Sequence, residues 1–119
     1  MKLTREQQAE TLTTLETLIE RCEKVLPQFA EGTSQRTLLV NRLSALRIGQ
    51  ALMTRSKDVQ LSRKELEAAR APLASILHKC ERAVAKHAPG SVTYTKLEKQ
   101  IRAMQVVLKC IDEIVAEME

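Results

Sequence analysis

Three observations predict an all-α fold, an antiparallel up-down-up-down four-helix bundle built from a duplicated helical hairpin. Glycine and proline occur only three times each in 119 residues, which leaves little material for loops. Apolar residues recur at three- and four-residue spacing along four long segments. Displacing the chain by 58 positions aligns its two halves without a gap. Hydrophobic residues make up 44% and charged residues 29%, the balance of a globular protein rather than a disordered one. Phe29 and Tyr94 are the only aromatics, so the core must be aliphatic. The length suits one domain spanning 1–119, with repeat units at 3–57 and 61–115.

The first helix is expected from Thr4, because Thr4-Arg-Glu-Gln7 fits a capping box. Leu12, Leu15, Leu18, Ile19, Cys22, Val25, Leu26 and Phe29 then share one face. Pro27 should kink or tighten the last turn, and Gly32 is placed to close the helix in the left-handed conformation. Thr33 or Ser34 can cap the second helix, expected from Gln35 to Lys57, with Leu38, Leu39, Leu43, Ala45, Leu46, Leu52 and Met53 on its apolar face. Residues 56–61 form the central linker.

Ser62-Arg-Lys-Glu65 is a second capping box, with Leu61 and Leu66 in the staple positions around it. Leu66, Leu73, Ile76, Leu77, Cys80 and Val84 continue the third helix. Pro72 either kinks it or splits it at Ala71. Pro89-Gly90 ends it, and the fourth helix should run from Thr93 to the C-terminus. The 58-residue shift matches both first-helix caps, Cys22-Glu23 with Cys80-Glu81, and Gly32-Thr33 with Gly90-Ser91. A single hairpin leaves its apolar face open, so two must pack together. Short connections make neighbours antiparallel, and helices of this length imply a rod about 35 Å long.

Several function classes lose support at once. No apolar run approaches the ~20 residues that cross a bilayer. The opening MKLTREQQAE is charged too early for a signal peptide, so a cytoplasmic setting is expected. Cys22, Cys80 and Cys110 form no CxxC pair and no zinc spacing, so no metal, cofactor or disulfide framework is indicated. His78 and His87 lack ligand partners at useful spacing, and no nucleophile elbow, phosphate loop or HExxH motif is present. The reading is non-enzymatic.

Charge is distributed unevenly. The chain carries +4, yet residues 33–64 hold seven basic residues against Asp58 alone, a local +6. Arg36, Arg47 and Arg55 belong to this basic second helix and are candidate binding residues. Arg42 stands apart from them, near the middle of the apolar face beside Leu38, Leu46 and Gly49. Its mate in the second half is Gln100, and counting from the two glycine turns puts Arg42 level with Cys22 and Gln100 level with Cys80. The four side chains are therefore expected in one polar layer, able to hold an anion or small ligand. The alternative is that Arg42 lies at a helix seam with its stem packed and its head reaching solvent or a carboxylate.

The string Gly32-Thr-Ser-Gln-Arg-Thr-Leu-Leu-Val-Asn-Arg-Leu-Ser-Ala-Leu46 resembles the GTSQxTLLxNRxxAL pattern of a family of small uncharacterised helical proteins in Gram-positive bacteria. Gly32, Thr33, Ser34, Gln35, Thr37, Leu38, Leu39, Asn41, Arg42, Ala45 and Leu46 match. The resemblance implies a helical bundle in a bacterial cytoplasm and carries no activity. It draws attention to Asn41-Arg42, which the second half replaces with Lys99-Gln100, so a site there would be asymmetric. Bacteriocin immunity proteins are likewise small, basic four-helix bundles, an analogy of fold alone.

The resulting expectation is a protein-interaction bundle that uses the basic second helix, with another protein or a second copy of the chain as partner. Val40, Ile48 and Val106 point outward and are candidates for a homodimer patch. The alternatives are nucleic-acid or anion binding through the same surface, or a small ligand in the layer around Arg42.

Overall fold

The computed structural model describes residues 2–54 and 60–118. Four helices account for most of them: α1 (Arg5–Val25), α2 (Ser34–Thr54), α3 (Arg63–Val84) and α4 (Val92–Glu117). A 3-10 turn at Leu26–Gln28 follows α1, and there is no strand among the described residues.

The helix boundaries follow from local chemistry. Thr4 Oγ1 accepts from Gln7 N at 3.0 Å while Gln7 Oε1 accepts from Thr4 N at 2.9 Å. Ser62 and Glu65 make the same reciprocal pair at 3.1 and 3.2 Å. Thr33 Oγ1 and Ser91 Oγ each accept the backbone N–H three residues on, opening α2 and α4. Gly32 and Gly90 take φ values of +83° and +86°, the left-handed region in which a side chain is strained. Pro27 offers no amide to continue the ladder of α1, and the chain tightens there into the 3-10 turn. Pro72, by contrast, lies inside an unbroken α3, so the alternative of a split at Ala71 does not occur. The proline leaves the Ala68 carbonyl without its usual helical donor. The expected end of α2 at Lys57, the candidate Arg55 and most of the central linker lie outside the described residues.

Each helix packs on its neighbours in the chain, and α1 also packs on α4. The diagonals differ: α2 touches α4, whereas no Cα of α1 comes within 8 Å of one in α3. Contacts in the first hairpin link Gln8 to the Met53 carbonyl and Glu23 to Arg47. In the second, Arg70 meets Asp112 and Cys80 meets Gln100. In both hairpins the partner's number falls as the first residue's rises. One aliphatic cluster joins all four helices, with Leu15, Leu46, Leu73, Met104 and Ile111 fully buried.

The molecule measures 42 × 40 × 21 Å, which corrects the expected rod. A rod has one long dimension and this slab has two, so the helices splay across its plane. The stripe Leu38, Arg42, Ala45, Gly49 on α2 records the opening. Gly49 and Ala45 are buried, Arg42 is half-buried and Leu38 is 67% exposed. Leu38 therefore leaves the core assigned to it by periodicity, because no opposing helix covers that end of the seam.

At the closed end of this stripe, a methyl group on Gly49 would stand 3.2 Å from both Val107 methyls and 3.3 Å from Leu15 Cδ2. Gly49→Val should thus overpack the core and lower stability by roughly 1–3 kcal/mol, despite removing a helix glycine. Urea unfolding of the variant against wild type measures this.

Candidate functional site

The polar layer inside the bundle is assembled from all four helices. Cys22 of α1 and Cys80 of α3 are buried, and Cys80 Sγ donates to Gln100 Oε1 of α4 at 3.2 Å. Arg42 of α2 is close enough for its charge to act on both thiols. Burial pushes each thiol above its ordinary value; Arg42 pulls it back, and Glu23 or Glu81 adds to the rise. The net shift is upward, so both sulfurs stay protonated at neutral pH and are poor nucleophiles. They also lie on the diagonal whose Cα atoms are more than 8 Å apart, beyond the ~7 Å reach of a disulfide.

Arg42 also lines a cleft between α2 and α3, with a volume of about 580 Å³. Leu38, Asn41, Ser44, Ala45 and Ile48 complete the α2 wall. The α3 wall is Glu65, Ala68, Ala69, Ala71, Pro72 and Ser75, nearly all small, which is why the seam stays open. Arg42 makes no hydrogen bond or ion pair among the described residues. Glu65 is already engaged, since its carboxylate accepts from Ser62 N in the capping box.

The other seam between hairpins, α1 against α4, is a natural comparison. The helix starts Arg5 and Arg63 are 58 positions apart, as are Ser34 and Val92. Residues displaced by 58 line both seams: Gln7 and Glu65, Thr11 and Ala69, Val106 and Ile48. Across the α1–α4 seam Arg102 Nε donates to Glu10 Oε1 at 2.9 Å. The corresponding residues in the α2–α3 seam are Ser44 and Ala68, too short to meet. Both seams keep a cleft, about 600 Å³ at α1–α4 and about 580 Å³ at α2–α3; the first is spanned by an ion pair, and the second has Arg42 in its lining without a partner among the described residues.

The remaining predicted site residues fall elsewhere. Arg36 turns back over the end of α1 and donates from Nη1 to the carbonyls of Leu26 (3.1 Å) and Phe29 (2.9 Å). It serves the fold and is not a free surface cation, a correction to its place among the binding residues. Arg47 pairs with Glu23 at 3.0 Å on the surface. Asn41 is exposed at the cleft mouth, and Gln100 sits in the layer beneath. His78 is exposed and meets Glu81, while His87 is exposed after α3. Sequence reasoning missed the α3 wall; its signal was the recurrence of small residues at Ala68, Ala69, Ala71, Ala74 and Ser75.

Two measurements test these assignments. Arg36→Ala should cost about 1–3 kcal/mol in urea unfolding, the range for hydrogen bonds from a charged donor, whereas the exposed Arg47→Ala should cost at most about 1 kcal/mol. A thiol reagent at pH 7 should label Cys22 and Cys80 only as fast as the protein opens. Because the folded thiols titrate above the unfolded ones, their contribution to stability holds below the ordinary thiol value of 9.0 and fades as pH rises past it.

No family model matches the chain, and no curated protein or solved structure is significantly similar to it.

Proposed function

We propose that the protein is a non-enzymatic interaction bundle that recognises another protein through the face formed by α2 and the α2–α3 cleft. The observation that carries this reading is Arg42, half-buried and without a carboxylate partner among the described residues, in the lining of an open cleft. A guanidinium that a partner covers needs acceptors from it, and arginine beside apolar side chains is the composition favoured at protein interfaces. Exposed Leu38 and Val40 supply the apolar neighbours. A bundle of two repeated antiparallel hairpins belongs to the same reading, supported by the order of contacts within each hairpin and by the matched caps. The bacterial cytoplasmic setting is likewise proposed, on the Gly32–Leu46 motif.

Nucleic-acid binding through α2 has less support. Arg36 is committed to backbone carbonyls and Arg47 to Glu23, and bases find few aromatics to stack on. A free small anion is the other alternative, since the cleft volume falls in the range of ligand pockets.

Affinity capture from lysate of the producing organism, at low salt and with nuclease, tests the proposal. Wild type should retain a protein after nuclease treatment, and Val40→Asp or Arg42→Gln should reduce its recovery at least ~10-fold, about 1.4 kcal/mol of binding. Recovery that disappears with nuclease assigns α2 to nucleic acid instead.

A further inference from the structure

The α2–α3 cleft is specific about what it lacks. In the equivalent α1–α4 seam, Glu10 supplies the carboxylate that Arg102 binds. In the open seam Ala68 stands at the place of Glu10, and Glu65, the one acidic residue in the lining, is held by its own helix cap. Residues 33–64 contain no acid other than Asp58 against seven bases. Ser44 stands at the place of Arg102, so that ion pair is absent from this seam altogether; Arg42, which does line the cleft, has no carboxylate partner among the described residues, and a negative charge for it has to come from outside them.

The flanking residues define what must accompany it. Leu38 lies one helical turn before Arg42 on the same stripe, and half-buried Ile48 lies further along the α2 wall. The wall from Leu38 to Ile48 rises about 15 Å, the length of roughly three helical turns. A groove between two helices with apolar ends and a cationic centre is the surface that an amphipathic helix fills, with anchors at successive turns.

We propose that the cleft receives an acidic amphipathic helix of a partner protein, which sets an Asp or Glu on Arg42 and apolar side chains against Leu38 and Ile48. This inference rests on the protein-binding reading above and specifies its contact. Asn41 and Ser44 at the mouth provide further donors to the incoming carboxylate.

The test is a displayed library of helical peptides panned on the wild-type protein. Enriched sequences should carry an acidic residue with apolar residues three or four positions to either side. Their binding should fall at least ~10-fold on Arg42→Gln and fall again with added salt. A second variant keeps Arg42 and the fold: Ser44→Arg with Ala68→Glu installs in this seam the clasp of the other one. That variant should remain folded by circular dichroism and lose peptide binding. Enriched peptides without acids, or equal binding to Arg42→Gln or the clasped variant, would overturn the inference. So would an absence of enrichment together with thermal stabilisation by decanoate, which would make the ligand a free carboxylate. If lysate capture succeeds and depends on Val40 but not Arg42, the protein-binding reading stands and the cleft assignment fails. If neither experiment recovers a protein or peptide, both fail.

Discussion

Where α2 passes α4, Gly49 lies directly against the Val107 side chain with no room for a methyl group, and the shape of the core depends on that fit. Gly49 and Val107 are 58 positions apart, so the two residues that meet across this diagonal occupy matching places in the two halves. Two valines facing each other there would compete for one volume. Glycine opposite valine removes the conflict and lets the backbones close in. The other members of this level, Leu15 on α1 and its counterpart Leu73 on α3, are both fully buried, and their helices stay farther apart. Small residues on one diagonal and large ones on the other fill the layer at close-packed density.

The layer at Arg42 reverses that allocation. Here α2 and α4 carry the long side chains, Arg42 and Gln100, while α1 and α3 carry the small thiols Cys22 and Cys80. A guanidinium is costly to desolvate unless something answers its charge. Two protonated thiols, one of them occupied with Gln100, do not. Arg42 is only half-buried and lines the cleft that runs along the stripe toward exposed Leu38. A tighter seam there would strand the cation.

Much of this was legible because it is either local or periodic. The Thr4–Gln7 and Ser62–Glu65 boxes and the two glycine turns depend on residues within three positions of each other, and they occur where the pattern puts them. The grouping of Arg42 with both thiols, and of Cys80 with Gln100, followed from counting turns along long helices, where register is preserved. Arg36 was misread because its long side chain reaches seven and ten residues back across a turn, a contact that a helical wheel does not represent. Leu38 was misread for a related reason. Periodicity says which way a residue faces but not whether another helix is there to cover it, and the splay leaves that end bare. The α3 wall of the cleft was invisible because a cavity is made by what Ala68, Ala71 and Ser75 do not fill.

The two seams differ in how charge is placed across them. At α1–α4 the pair Arg102–Glu10 spans the seam beside a cleft of about 600 Å³. The same solution is sterically available in the other seam, since Ser44 and Ala68 are exposed and leave room for longer side chains. What stands there instead is a pair of short residues beside a cation that nothing in the fold neutralises. A half-buried charge without a partner adds nothing to stability. Under the proposed binding role the arrangement has a reason, because the charge becomes favourable when a second molecule supplies its partner.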